Sequence, residues 1–259
     1  MTTPNIPIVN AGDLYITGLR LANDSTTPDE IVTIGIGQCR DSTNANDIVV
    51  DAAISASNVV SGAGGLDTGT VAASTLYYVH VIGDSTGYNS PTGLLSLSKT
   101  APVIPGGYDM FRRVGAVSTD GTSDNQKFQQ TGNGHNRTTV YDSGTLGVTT
   151  TGLPIPSSAT TASQTLASIG VFTSLIPQSA IELHIYASLV ANAAGDSLML
   201  APYGFTAAST MFRTNASGTV EGHVMQVPCN INTVQQAYYA TSSATATVAF
   251  TLCGYVDEL

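Results

Sequence analysis

Short apolar stretches separated by turn-forming residues run along this chain. The clearest is 76–82, LYYVHVI, which follows Ser and Thr and ends at Gly-Asp-Ser. Tyr, Val and Ile favour a pleated, half-buried surface, so this stretch is predicted to be a strand. Two more strands are predicted around 93–98 and 109–118, after turns rich in Gly, Pro, Asn and Ser. Together the three strands predict an antiparallel meander.

The same pattern predicts strands in the rest of the chain. Short strands are expected within 1–37 and at 48–50 and 54–60, and Asn133-Gly134 predicts a hairpin turn. The second half predicts six strands, at 166–172, 181–189, 197–201, 218–227, 236–241 and 245–255. In the last of them, Val248, Phe250, Leu252 and Gly254 are expected on one face. Helices are predicted only as short segments at 160–166 and 207–212.

These elements predict an all-β protein of two antiparallel domains of the β-sandwich or jelly-roll type. A stretch rich in Gly, Pro and Ser near 145–158 suggests the boundary. We therefore expect a meander or sandwich domain over 1–148 and a jelly-roll-like domain over 149–259. Residues 1–12, with Ile6 and Ile8 in alternation, are predicted to be an arm that pairs with the sheet edge of another chain.

The composition of the chain adds an indication that the protein assembles with copies of itself. Charged residues make up 10% of the chain, against about 25% in ordinary soluble domains, while 42% of residues are hydrophobic and can build a core. When a weakly charged surface is covered by another subunit, few charges have to be removed from water. A homo-oligomer is therefore expected. The net charge of −10 argues against binding to nucleic-acid phosphates. No apolar run approaches the roughly 20 residues of a membrane span, and the first residues lack a secretory signal pattern.

Arg112 and Arg113 form the densest basic pair of the chain. Neighbours on a strand point to opposite faces, so one of them is expected in a subunit interface, where it would meet the acidic surface of a copy. A charge that protects a sheet edge is an equally good interpretation.

Residues 83–87, GDSTG, match the G-x-S-x-G pattern of a nucleophile elbow. That mechanism needs a helix after the serine, and the next residues, YNSPTG, cannot begin one. A hairpin turn is therefore predicted. The histidines lack the spacing of metal ligands, and structural or surface roles are predicted for them; they are His80, His135, His184 and His223. Glu221 is expected to share a strand face with the last of these.

The acidic residues and cysteines also point away from catalysis. Single Asp residues lie in turns, where the side chain bonds the following backbone, and whether one such loop binds calcium stays open. Cys39, Cys229 and Cys253 are expected to be small buried side chains, and a disulfide between the last two stays open. We predict no catalytic residue, no cofactor and no metal site.

The segment from 64 to 121 carries a resemblance to a known group. Its sequence patterns are GLDTG at 65–69, AASTLYYV at 72–79, IGD at 82–84, PGGY at 105–108, FRRVGAV at 111–117 and TDG at 119–121. In this order they resemble virion-associated proteins of tailed bacteriophages. The similarity covers 40–125 well and the second half loosely, and it supplies no catalytic residue.

This resemblance implies an exterior virion protein, a tail-fibre or tail-accessory component that acts by assembly and binding and not as an enzyme. One alternative is a capsid decoration (cement) protein that stabilises capsomer junctions. Another is a carbohydrate-binding jelly-roll module. The expected partners are copies of itself, other virion proteins and a host-surface glycan, with no nucleic acid. The expected location is the virion, assembled in the cytoplasm of a bacterial host.

Overall fold

The computed structural model describes residues 15–142, 153–154, 167–206, 210–229 and 236–259. Within these ranges every regular element is a strand, and the strands form antiparallel sheets of the sandwich type, as predicted. The strands are β1 (Ile16–Gly18), β2 (Leu21–Asn23), β3 (Ile31–Ile34), β4 (Gly37–Arg40), β5 (Asp47–Val50), β6 (Ile54–Ser57), β7 (Leu76–Gly83), β8 (Thr92–Ser96), β9 (Met110–Ser118), β10 (Phe128–Thr131), β11 (Asn136–Tyr141), β12 (Leu153–Pro154), β13 (Ala167–Val171), β14 (Ala180–Val190), β15 (Ser197–Pro202), β16 (Thr210–Arg213), β17 (Val220–Pro228), β18 (Gln236–Thr241) and β19 (Thr247–Glu258).

The three strands predicted around 76–118 are present as β7, β8 and β9, but their order is not that of a meander. The sheet order is β8-β7-β9, so β9 pairs with β7 and not with β8. The outer edge of β8 is already taken, because Gly64 N donates to Gly93 O at 2.9 Å and Leu95 N donates to Gly65 O at 2.7 Å. The chain after β8 therefore crosses to the free side of β7.

The second half contains its six predicted strands as β13, β14, β15, β17, β18 and β19. The predicted helix at 207–212 is wrong, because residues 210–213 form β16, which pairs with β15. Pairing with a neighbouring strand outweighs a weak local helix preference here. The helix predicted at 160–166 lies outside the described residues. Asn133-Gly134 lies in the hairpin between β10 and β11, as predicted.

One sheet joins strands from both predicted domains. Its order is β17-β14-β19-β11-β10-β2-β3-β6, with β12 also on β19. The junction is the pairing of β11 with β19, which runs from Asn136↔Glu258 to Val140↔Gly254. The predicted boundary between 148 and 149 falls outside the described residues, and the division into two domains stays a prediction.

The second half folds as a sandwich in which the four-stranded sheet β13-β18-β15-β16 packs on β17, β14 and β19. Its core is built from apolar side chains of the facing strands, with Ile185, Leu200 and Phe250 all buried in it. Tyr239 and Phe250 bring the two layers into contact, with ring centroids 5.0 Å apart.

Strand β19 does not keep one alternation along its length. Val248, Phe250 and Leu252 are buried as predicted, but the pairing with β14 shifts between His184↔Gly254 and Ile185↔Leu252. Cys253 is the extra residue of this bulge, so Gly254 does not continue the face of Leu252 and that part of the prediction is wrong.

Candidate assembly surface

The G-x-S-x-G segment is a connection between two antiparallel strands. It follows β7 and leads into β8, whose pairing begins at Ile82↔Thr92. Asp84 accepts hydrogen bonds from Thr86 N and Asn89 N, both at 2.9 Å, and from the Thr86 hydroxyl at 2.6 Å. These bonds, the Thr86 hydroxyl first, lower the pKa of Asp84 to about 2. The segment is a turn, as predicted, and its carboxylate holds the turn in shape.

Other acidic side chains hold their own loops in the same way. Asp41 accepts Ala45 N at 2.8 Å, Asp120 accepts Thr122 N at 2.7 Å, and Asp196 accepts Asn192 N at 2.8 Å. Each carboxylate thus fixes the backbone that follows or precedes it, as expected for Asp in turns. Among the described residues, no three His, Cys, Asp or Glu side chains come together as metal ligands.

The histidines occupy four different settings. His80 is buried in β7, where its Nε2 lies 3.1 Å from Ser98 O. His135 Nδ1 lies 2.9 Å from Leu259 O, and His184 Nε2 lies 2.8 Å from Glu182 Oε1. The His223 ring lies against Phe212 at a tilt of 50°, with ring centroids 4.8 Å apart. The structural and surface roles of these histidines stay a prediction.

The cysteines are thiols, and no disulfide joins Cys229 to Cys253. Burial raises the pKa of Cys39 and of Cys229 to about 12, so neither is a ready nucleophile. Cys253 Sγ lies 3.9 Å from Thr251 O.

The structure gives Arg112 and Arg113 separate surroundings. Arg113 Nη1 lies 2.7 Å from Asp257 Oδ2, and Arg113 Nη2 donates to Glu258 O. Arg112 is buried near Cys39, and burial lowers its pKa. Arg113 therefore has an acidic partner within its own chain, and an interface role for either arginine stays a prediction. Ile6 and Ile8 lie outside the described residues.

The pair of Arg113 and Asp257 connects two sheets. The Asp257 side chain is 1% exposed and also accepts the Ser179 hydroxyl at 2.6 Å. Burial raises the pKa of Asp257, while the nearby Arg113 lowers it. Such a pair works as an internal clasp between β9 and β19.

One exposed apolar feature lies on β17, which is an edge strand of the large sheet among the described residues. Its outer face presents Val220, 67% exposed, and Val224, 57% exposed. Gly222 lies between them, and the phenol end of Tyr186 covers it so closely that a Cβ on Gly222 would be 2.1 Å from the hydroxyl. We call Val220, Tyr186 and Val224 the β17 strip.

The backbone of β17 has one side without a partner strand among the described residues. Cys229 N donates to Ile181 O at 2.8 Å, and Ala191 N donates to Thr219 O at 3.1 Å. Because bonded and non-bonded pairs alternate in an antiparallel ladder, odd-numbered residues of β17 bond to β14. The peptide groups of even-numbered residues, including Gly222, therefore point away from β14.

Among the described residues this edge has little of the usual protection against pairing, since Glu221 is the only Asp, Glu, Lys or Arg of β17. Natural edge strands carry Lys, internal Pro or bulges that discourage contact with other chains. β17 has neither Lys nor Arg, its proline is its last residue, and its register with β14 is unbroken. Sequence reasoning missed the strip. The sequence shows that 218–227 contains no Lys or Arg. It does not show that this strand lies at the edge, because that depends on the order of strands in the sheet.

Comparison with known proteins brings no match, either to a protein-family model or to a curated protein. In the part of the chain that the structure describes, no helix has the length and apolar character of a membrane-spanning segment.

Proposed function

We propose that this protein is a structural component of a tailed-bacteriophage virion, an exterior tail-fibre or tail-accessory part that acts by assembly and binding. The observation that carries the proposal is the edge of β17, which no strand of the described residues covers, with its exposed valines. A long edge strand of this kind pairs readily with other chains. A protein built for contact with other subunits can use such an edge, because the contact itself covers it.

Two further features support an assembly role. The loop carboxylates accept backbone hydrogen bonds in their own turns, as with Asp84 and Asp120, and so fix the shape of those turns. Only 10% of residues are charged, so covering the surface removes few charges from water. The class of particle rests on the resemblance of segment 64–121 to tailed-phage virion proteins.

The test is the composition of purified particles. Virions are banded by density, and the protein is quantified against the major capsid protein by gel densitometry and mass spectrometry. A low copy number supports the tail position, and a copy number comparable to that of the capsid protein would instead identify the decoration alternative. Absence of the protein from intact particles would refute the proposal.

A further inference from the structure

We propose that two copies of this chain pair antiparallel through the edges of β17 that no described strand occupies, about a two-fold axis that passes beside Gly222. The inference rests on the proposed assembly function and names its contact. A two-fold contact uses the same surface on both copies, so the edge must complement itself. The sequence of β17, VEGHVMQVP, does so in one register.

In this register Gly222 lies opposite Gly222 of the second copy. Val220 then lies opposite the second copy's Val224, and Glu221 lies opposite the second copy's His223. The residues that would exchange backbone hydrogen bonds are 220, 222 and 224, whose peptide groups point away from β14 by the alternation set at Cys229 and Ala191. Backbone geometry and side-chain pairing therefore agree.

The apolar contact closes over the axis on the outer face. Val220 and Val224 of each copy would flank the two Tyr186 rings, each of which covers its own Gly222. The valines, exposed by 67% and 57%, would become cross-strand neighbours, a contact that stabilises paired strands. The two β17 strips would form one continuous apolar patch.

Charge complementarity selects this register. Glu221 and His223 share the other face of β17, and the pair of Glu221 with the second copy's His223 would occur twice. Shifting the two-fold centre by one hydrogen-bonded position to Val224 places Glu221 opposite Val227 instead. With no Lys or Arg in the strand, His223 is the one basic side chain of β17 that can meet Glu221.

Sedimentation velocity over a concentration series tests the contact. The wild-type chain is expected to be a dimer, and Val224→Lys should raise its dissociation constant at least about tenfold, because two lysines would enter the apolar patch. The matched control is Val103→Lys, since Val103 is also 57% exposed but lies outside β17. A wild-type monomer at every concentration, or equal effects of the two variants, would overturn the proposal.

Disulfide trapping tests the register. Val220→Cys with Val224→Cys should give a covalent dimer on oxidation, because opposed residues have Cα atoms about 5.5 Å apart. Each single variant should stay uncrosslinked, since identical positions would be about 13 Å apart, four residues along a strand. The single variants also control for the native cysteines. A crosslink through Val224→Cys alone would refute this register.

The two proposals fail separately. A dimer that tolerates Val224→Lys refutes the β17 contact and leaves the virion assignment standing. A chain that pairs through β17 but is missing from purified particles refutes the virion assignment and leaves the contact standing.

Discussion

At the scale of single residues, His80 shows how burial fixes a charge state. Its side chain is fully buried, and Nε2 carries the proton because Ser98 O can only accept. Nδ1 has no hydrogen-bond partner among the described residues. Burial lowers the pKa of His80 to about 4, because a second proton would place an unpaired charge in the interior.

This predicts an acid-sensitive stability. The unfolded chain takes up the proton near the ordinary pKa of 6.5 and the folded chain only near 4, so stability falls as the pH drops between these values. At pH 4.5 the loss due to His80 should reach about 2 kcal/mol. Urea unfolding at pH 7 and at pH 4.5 should show it in the wild type but not in His80→Gln. Identical pH dependence in the two proteins would contradict the assignment.

Other residue-level features could be predicted in part from the sequence. Asp84 and Asp120 were predicted in turns because their bonding is local. The partner of Arg113 could not be predicted in this way. Asp257 lies on a strand far away in the sequence, and local sequence patterns do not indicate such a contact. Local chemistry could be predicted, and long-range pairing could not.

At the scale of elements, Gly93 shows a close approach between strands. A Cβ at this position of β8 would lie 2.7 Å from Ser55 O and 2.9 Å from the Ala56 Cβ on β6. The glycine therefore lets β8 pack against the edge of the large sheet. Only a residue without a side chain fits this approach.

We expect Gly93→Ala to lower the free energy of unfolding by about 1–3 kcal/mol, because β8 must move away from the β6 backbone. Gly106→Ala is the control, since nothing lies within 4 Å of a Cβ there. Chemical denaturation of both variants measures the difference. Equal free energies of unfolding for the two variants would contradict this, because β8 would then move away from β6 without loss of stability.

The elements also show where sequence reasoning succeeds. The predicted strands β7, β9, β14 and β19 have clear apolar patterns in their own residues, and all are present. The order β8-β7-β9 and the bulge at Cys253 depend on which edges other segments occupy. The edge position of β17 also depends on the order of strands in the sheet. The candidate surface could therefore be recognised only from the structure.

At the scale of the whole molecule, the clasp of Arg113 and Asp257 joins the sheet of β9 to the large sheet. Its side chains are 11% and 1% exposed, so both charges are largely removed from water. The two residues are 144 positions apart in the sequence, so the clasp ties distant parts of the chain together. Loss of the acidic partner would leave the largely buried Arg113 without its counter-charge.

Asp257→Ala should therefore lower the free energy of unfolding by about 3–5 kcal/mol. Asp47→Ala is the matched control, because the ion pair of Arg40 and Asp47 is exposed, with Asp47 49% accessible, and should contribute less than about 1 kcal/mol. Calorimetry of both variants should show one transition, since β11 and β19 join the halves. Two separated transitions, or equal losses in the two variants, would contradict this view.

The central place of β19 has a consequence for biosynthesis. This last described strand lies between β14 and β11, both of which leave the ribosome long before it. Until residues 247–258 are synthesised, the edges of β14 and β11 that pair with β19 have no partner strand. The large sheet is therefore completed only after residues 247–258 have been synthesised, and nascent chains on neighbouring ribosomes would need to be kept apart until then.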